Sequence, residues 1–450
     1  MLNYIWLALV LCAVAIGGWT NHLKEVTDGA FDGAKTAVTI ALGLIGIMAL
    51  WLGVMRLAER AGLIQRMARG LRPVMRRLFP DVPAEHPAMG AMLMNMAANM
   101  LGLGNAATPL GLRAMRDLET LNPQPGVATN AMCTFLALNT ASVQLIPTTA
   151  IAILAASGSK RPTAIVGTAL MATLCAATVA IVAVKLLQKL PMFRLERASD
   201  QGGLERLADS SAATVSPAGT DELVLDTGFR ARLPLWGIIT LVALGLFFTA
   251  LFVRMVFPSL FGLDLPTDAT AQNGFVRSVN ALSLLAIPFL LSFFPLYAAA
   301  RGIKVYDEFV EGAKEGFNVI LRIIPFLVTM LVAISMFKGA GGIELLQHAL
   351  TPFLQPLQFP PDLLPLALMR PLSGSGTLAL LTQLVHDHGP DNLISLMGAT
   401  IYGSTETTFY VAAVYFGSVG IKRTRHAIPA GLLADLMGVI ASILICRAVL

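Results

Sequence analysis

Apolar runs long enough to cross a lipid bilayer constrain this chain more than any other feature of its sequence. They cover roughly residues 4 to 20, 36 to 57, 129 to 157, 163 to 187, 233 to 257, 276 to 298, 317 to 337, 391 to 417 and 427 to 446; a helix needs about 20 residues to span the hydrocarbon. The expected fold class is therefore all-α, a polytopic membrane protein. Composition points the same way, since 56% of the 450 residues are hydrophobic and only 13% charged, outside the usual range of soluble domains.

No Lys or Arg precedes Ile5, and no small-residue cleavage site follows the first apolar run, which is expected to be a retained helix. Cys12, Cys133, Cys175 and Cys446 all fall inside spanning runs, where thiols behave as small hydrophobes rather than as a disulfide or zinc framework. The formal charge of +5 is carried by basic residues beside membrane segments, as orientation signals are, so membrane lipids and not nucleic acid are the expected partners. His386-Asp387-His388 precedes Gly389-Pro390 and reads as a turn, with no further ligands at metal-site spacing. No Walker, dinucleotide or His-Glu-x-x-His fingerprint supports an enzyme.

The chain divides into related halves. Phe31-Asp32-Gly33-Ala34-Lys35 recurs as Val310-Glu311-Gly312-Ala313-Lys314, each before a spanning run. Each half then presents an amphipathic stretch ending in Phe-Pro, a broken apolar stretch, a long interrupted helix and a last helix after a basic pair. The expected domains are 1–195, a linker 196–230 too polar to bury a core, and 231–450. Residues 56 to 77 carry Arg56, Arg60, Arg66, Arg69, Arg72, Arg76 and Arg77, whereas the matching stretch 338 to 360 has only Lys338. Cytoplasmic segments are enriched in Lys and Arg, so the halves are expected to be inverted, with the N-terminus and linker cytoplasmic. The Arg-rich stretch is expected to lie on the inner surface as an amphipathic helix.

Polar residues enter the membrane in four places. Pro87 begins a run with Asn95, Asn99, Asn105 and Thr108; Pro361 begins one with Arg370, Ser373, Ser375 and Thr377. Each reads as a re-entrant helical hairpin with a glycine-rich tip, because broken helices at such depth need protein or a water-filled cavity around them. The following helices are interrupted by Asn139, Thr140, Ser142 and Gln144, and by Ser404, Thr405, Glu406, Thr407 and Thr408. Two tips facing two unwound helices would make a polar centre near the midplane, where inverted-repeat transporters bind solute and coupling ion. Glu406 is the sharpest residue of the set, since an intramembrane carboxylate costs several kcal/mol, with Arg370, solute or cation as its expected partner. A structural ion pair is the alternative for it. Asp435 is a second intramembrane acid, expected to pair with a neighbouring Arg or His.

These same residues carry a family resemblance. Asn99 to Gly111, Ala128 to Met132 and Asn139 to Thr149 resemble spore maturation protein A. Arg370 to Gly376, Gly403 to Tyr410, Val414 to Gly420 and Pro429 to Asp435 resemble spore maturation protein B. The resemblance covers nearly the whole chain outside the linker. Both proteins belong to the nucleoside-recognition or Gate-domain group, similar to the transport core of concentrative nucleoside transporters. That implies the interfacial helix, hairpin and unwound-helix units above, and an elevator-like motion. The expected function is a secondary transporter of a small polar or anionic solute, with Na⁺ or H⁺ as a coupling ion. A lipid or lipid-linked precursor translocase, and a non-transporting scaffold or spore maturation factor, are the alternatives. The sequence leaves substrate and oligomeric state open, a homo-oligomer among the options.

Overall fold

A computed structural model describes residues 2–102, 104–193, 233–261, 274–342, 344–345 and 359–450. The expected linker and most of the stretch 338 to 360 lie outside the described residues. Within them the chain is helical, with one isolated bridge between Val127 and Arg423. The first half contains α1 (Leu2–Trp19), α2 (Leu23–Arg60), α3 (Leu63–Leu78), α4 (Pro87–Met100), α5 (Gly104–Glu119), α6 (Asn130–Ala141), α7 (Thr148–Ala156) and α8 (Ile165–Leu187). After it come α9 (Leu235–Val256), α10 (Gly274–Ala300), α11 (Val305–Gly339), α12 (Leu364–Met369), α13 (Gly374–His388), α14 (Leu393–Ser404), α15 (Thr408–Ser418) and α16 (Ala427–Val449). Six of these, α2, α8, α9, α10, α11 and α16, are long and apolar enough to cross a membrane. The molecule is a multi-pass membrane protein.

Its axis is the pair α2 and α11. α2 has 38 residues, about 57 Å at 1.5 Å per residue, so it exceeds the hydrocarbon thickness of about 30 Å. Its first turns carry Asp28, Asp32 and Lys35. The two helices run antiparallel, with Gly29 against Ser335, Gly33 against Leu331, Gly316 against Ala49 and Gly312 against Leu52. A Cβ at Gly33 would stand 2.7 Å from the Leu331 carbonyl oxygen, and one at Gly312 would stand 2.6 Å from that of Leu52. The glycines of the repeated pentapeptides are thus among the points where the two backbones touch, the packing that small residues allow between membrane helices.

Charge fixes the register at one end of this pair. Arg56 Nε donates to Glu308 at 2.9 Å, Arg56 Nη1 to Glu315 at 3.1 Å, and Arg60 Nε to Glu308 at 3.2 Å. This corrects the expectation that the Arg-rich stretch from 56 onward is one surface helix. Gly62, in the left-handed region at φ 74°, separates α2 from α3, a conformation that costs glycine little. Arg56 and Arg60 stay on α2, and only α3 has the amphipathic character, burying Ile64, Ala68 and Met75.

α8 and α16 form a second antiparallel pair. Gly438 meets Ala176, and Thr400 of α14 bonds both Thr168 of α8 and Cys446 of α16. At the entrance to α16, Arg425 donates to the carbonyls of Phe193 and Ala128. The adjacent His426 is buried, lies edge-on to Phe193, and has no hydrogen-bond partner on either nitrogen among the described residues.

Gly33→Val should lower the Tm, because overpacking against a backbone oxygen typically costs about 1–3 kcal/mol. Gly46→Ala, on the same helix with open space around it, should leave the Tm unchanged or raise it. Burial, then Arg425 and Lys185, push His426 from the ordinary 6.5 down to about 4. Between those values the unfolded chain binds a proton that the native state refuses, so stability is full above pH 6.5 and falls toward pH 4. Tm measured across that window should fall less steeply in His426→Leu than in the wild type.

Candidate functional site

Four chain interruptions meet at the centre of the molecule, and each supplies a backbone group that another needs. α6 stops at Ala141 because Ser142 turns left-handed at φ 35° and Pro147 has no N–H to continue a helix. The freed Leu145 N–H donates to the Met100 carbonyl, at the tip of the α4–α5 hairpin, at 3.0 Å. α14 stops at Ser404, where Thr405 is extended. The Glu406 N–H donates to the Thr140 carbonyl at 2.7 Å, joining the two helix breaks, and the Phe409 N–H donates to Pro371, at the tip of the α12–α13 hairpin, at 3.0 Å.

Side chains extend this frame. Asn95 donates to the Ala107 carbonyl at 2.7 Å, closing the first hairpin on itself, and to the Tyr415 hydroxyl at 3.2 Å. Asn99 donates to Asn139 Oδ1 at 2.8 Å, and the Tyr415 hydroxyl reaches the same oxygen at 3.4 Å. Tyr415 enters over Gly111, where any Cβ would overlap its ring. Arg370 is buried, with its guanidinium 4.7 Å from the Tyr402 ring centroid and Nη2 3.8 Å from Glu406 Oε2. Gln144 donates to Glu406 Oε1 at 3.1 Å. The Glu406 side chain is nevertheless 40% exposed, because it faces a cavity.

That cavity has a volume of about 240 Å³ and takes its walls from both halves. Of the residues singled out in the sequence, Asn99, Gln144 and Glu406 line it; Trp51, Arg56, Glu59, Glu315 and Tyr402 also line it and were not singled out as site residues. A signal for the charged ones exists in hindsight: Arg56 and Arg60 at one helix end match Glu308 and Glu315 on another, each set at helical spacing.

The remaining residues serve elsewhere. Ser373 accepts from the Gly376 N–H as the N-cap of α13, Ser375 lies 3.3 Å from it, and Thr377 donates to the Ser373 carbonyl. Ser404 donates to its own helix at Ile401. Thr108 sits on the first helical turns of α5, Thr407 precedes α15, and the Asn105 side chain lies outside the described residues. Thr140, Ser142, Thr405 and Thr408 are buried at the breaks, apart from the cavity wall. Asp435 is also buried and accepts from the Thr408 hydroxyl; no Arg or His contacts it among the described residues, contrary to the pairing its position suggested.

The central network makes its own prediction. Tyr415→Phe leaves Asn95 and Asn139 each short of a buried partner and should cost about 1–3 kcal/mol, read as a lower Tm of the detergent-purified protein.

Comparison with known proteins places the chain among relatives. The Gate pattern, described as nucleoside recognition, matches residues 41–189 and 320–422. Spore maturation protein A of Bacillus subtilis (strain 168) is 46% identical over 182 residues, covering 40% of this chain and 93% of that protein. Spore maturation protein B of the same organism is 44% identical over 167 residues, 37% of this chain and 94% of that protein. The uncharacterized protein YjiH of Escherichia coli (strain K12) is 35% identical over 78 residues, 17% of this chain and 34% of that protein. No solved structure matches.

Proposed function

We propose that this chain, which belongs to the nucleoside-recognition (Gate) family and is homologous to spore maturation proteins A and B, is a secondary transporter of a small polar solute. The observation that carries this reading is the cavity of about 240 Å³ at the meeting point of two broken helices, with the Glu406 carboxylate presented to it. Irregular backbone at such depth is favoured where it lines a solute path, and an accessible carboxylate there provides a hydrogen-bond acceptor or counter-charge.

Support for two inverted halves comes from the antiparallel pairing of α2 with α11 and of α8 with α16, which hold corresponding places in the order of elements. Alternating access then amounts to one half moving against the other around a fixed site. The Arg-rich α3 favours the cytoplasmic side for the Arg56–Glu315 end of the cavity. The wall also narrows the solute. Glu59, Glu315 and Glu406 line the cavity with Arg56, which is already engaged by Glu315, and the buried Arg370 behind the wall reaches only Glu406. That balance favours neutral or cationic polar groups over an anion, and a solute rich in N–H donors suits Glu406 and the Asn99 and Gln144 amides. Nucleosides, the class the family description names, carry no net charge and belong in the test.

The test is the Tm of the purified full chain with nucleosides, nucleotides, dicarboxylates, amino acids and lipid headgroups, in wild type and Glu406→Gln. A ligand at about 100 times its Kd adds about 2.7 kcal/mol. One neutral or cationic class should raise the Tm, and Glu406→Gln should abolish or sharply reduce the rise. A cooperatively melting protein that responds to no soluble compound would refute solute transport through this cavity and favour the lipid or scaffold role.

A further inference from the structure

A second polar cluster lies outside the cavity wall, where both helix breaks press against α16. Its centre is Asp435, 2% exposed in the interior of that helix. One carboxylate oxygen accepts the Thr408 hydroxyl at 2.5 Å; the other has no partner. The Thr405 hydroxyl faces the same carboxylate, and the Thr140 hydroxyl is fully buried with no hydrogen-bond partner among the described residues. Glycines on the Asp435 face of α16 make the room. A Cβ at Gly431 would stand 3.1 Å from Thr408 Oγ1 and 3.4 Å from Thr140 Oγ1, and one at Gly438 would stand 2.6 Å from Thr405 Cγ2.

The electrostatics of this cluster are one-sided. Every side-chain polar atom gathered on Asp435 is an oxygen. α14 ends here at Ser404, and a helix C-terminus carries partial negative charge; the end of α6 is already closed, its Thr140 carbonyl by the Glu406 N–H and its Ala141 carbonyl by the Thr173 hydroxyl. No backbone N–H of the break closes on the last turn of α14, because the Glu406 N–H goes to Thr140 instead. The closest cation, Arg370, is turned to Tyr402 and Glu406. Asp435 meets the first turn of α15 through Thr408. An ionised carboxylate buried here, with hydroxyls as its side-chain partners and the open end of α14 beside it, is short of positive charge, a state that costs several kcal/mol unless a cation completes it. Carboxylate and hydroxyl oxygens without nitrogen or sulfur suit a hard cation.

We propose that Asp435 and the hydroxyls of Thr140, Thr405 and Thr408 form a sodium site, built into the crossing of the two helix breaks with α16 and separate from the solute cavity. The ion joins one carboxylate to both halves of the chain. Through Thr405, the neighbour of Glu406, and Thr140, whose carbonyl holds the Glu406 N–H, an occupied site fixes the carboxylate that faces the cavity. That coupling rests on the transporter reading; sodium binding itself does not.

The experiment measures the Tm of the purified full chain as NaCl replaces choline chloride at constant ionic strength, together with direct ²²Na⁺ binding. The wild type should show a saturable sodium-specific rise. Asp435→Asn should abolish it, and Thr405→Val should raise the half-saturating concentration by at least about tenfold. Thr178→Val, on the outer face of α8, should leave it intact. If Asp435→Asn fails to fold, Thr405→Val carries the test. An equal response to choline and sodium in the wild type, or an undiminished sodium response in both site variants, overturns the proposal, the former leaving a proton as the charge that Asp435 takes. A wild type that binds sodium and no solute would instead sink the solute reading and leave this one standing.

Discussion

The backbone hydrogen bond from Glu406 N–H to the Thr140 carbonyl is the contact on which the centre of this protein depends. An unsatisfied peptide group in hydrocarbon costs several kcal/mol, so a spanning helix can break only where another element supplies the missing partner. Here the two breaks supply one another, and each is also closed by a hairpin tip, through Leu145 to Met100 and Phe409 to Pro371. No one of the four interruptions would be tolerable by itself. Together they place backbone polarity inside the bundle with most of it paired.

That mutual satisfaction has a geometric precondition in the contact between α2 and α11. The two longest helices approach until Gly33 and Gly312 touch the opposite backbone, and Arg56 and Arg60 lock the register through Glu308 and Glu315. Exposed ion pairs of this kind contribute little each; three sharing two acids and two bases determine how far one helix slides along the other. The same end of the pair forms a wall of the cavity, so the residues that align the two long helices also set its charge. Access from one end is therefore bound up with the relative position of the two helices.

The polar residues at the centre separate into two environments. Glu406, Gln144 and Asn99 face open volume, while Asp435, Thr140, Thr405 and Thr408 are buried off its wall. The two environments share a backbone, since Thr405 and Glu406 are consecutive and Thr140 binds the latter's N–H. A change of occupancy in either would be felt in the other through fewer than three residues of chain.

Hydrophobic run length and the polar interruptions determined much of this protein from sequence alone. Spanning helices, both breaks and the two hairpins follow from the apolar stretches and from Pro147, Gly102 and the Ser373–Gly376 tract, because local chemistry dictates where a helix cannot continue. Tertiary structure decided which helix faces meet. Arg56 reads locally as part of a basic surface stretch, and its place on the cavity wall exists only because α11 brings Glu308 and Glu315 alongside. Tyr402 and Tyr415 look like ordinary apolar-run residues until packing sets one under Arg370 and the other between two asparagines. Asp435 announced itself as costly, but its surroundings were set by Gly431 and Gly438, whose missing side chains admit threonines from both halves. Where a chain can bend is a local property, whereas the neighbours of a side chain depend on contacts hundreds of residues away.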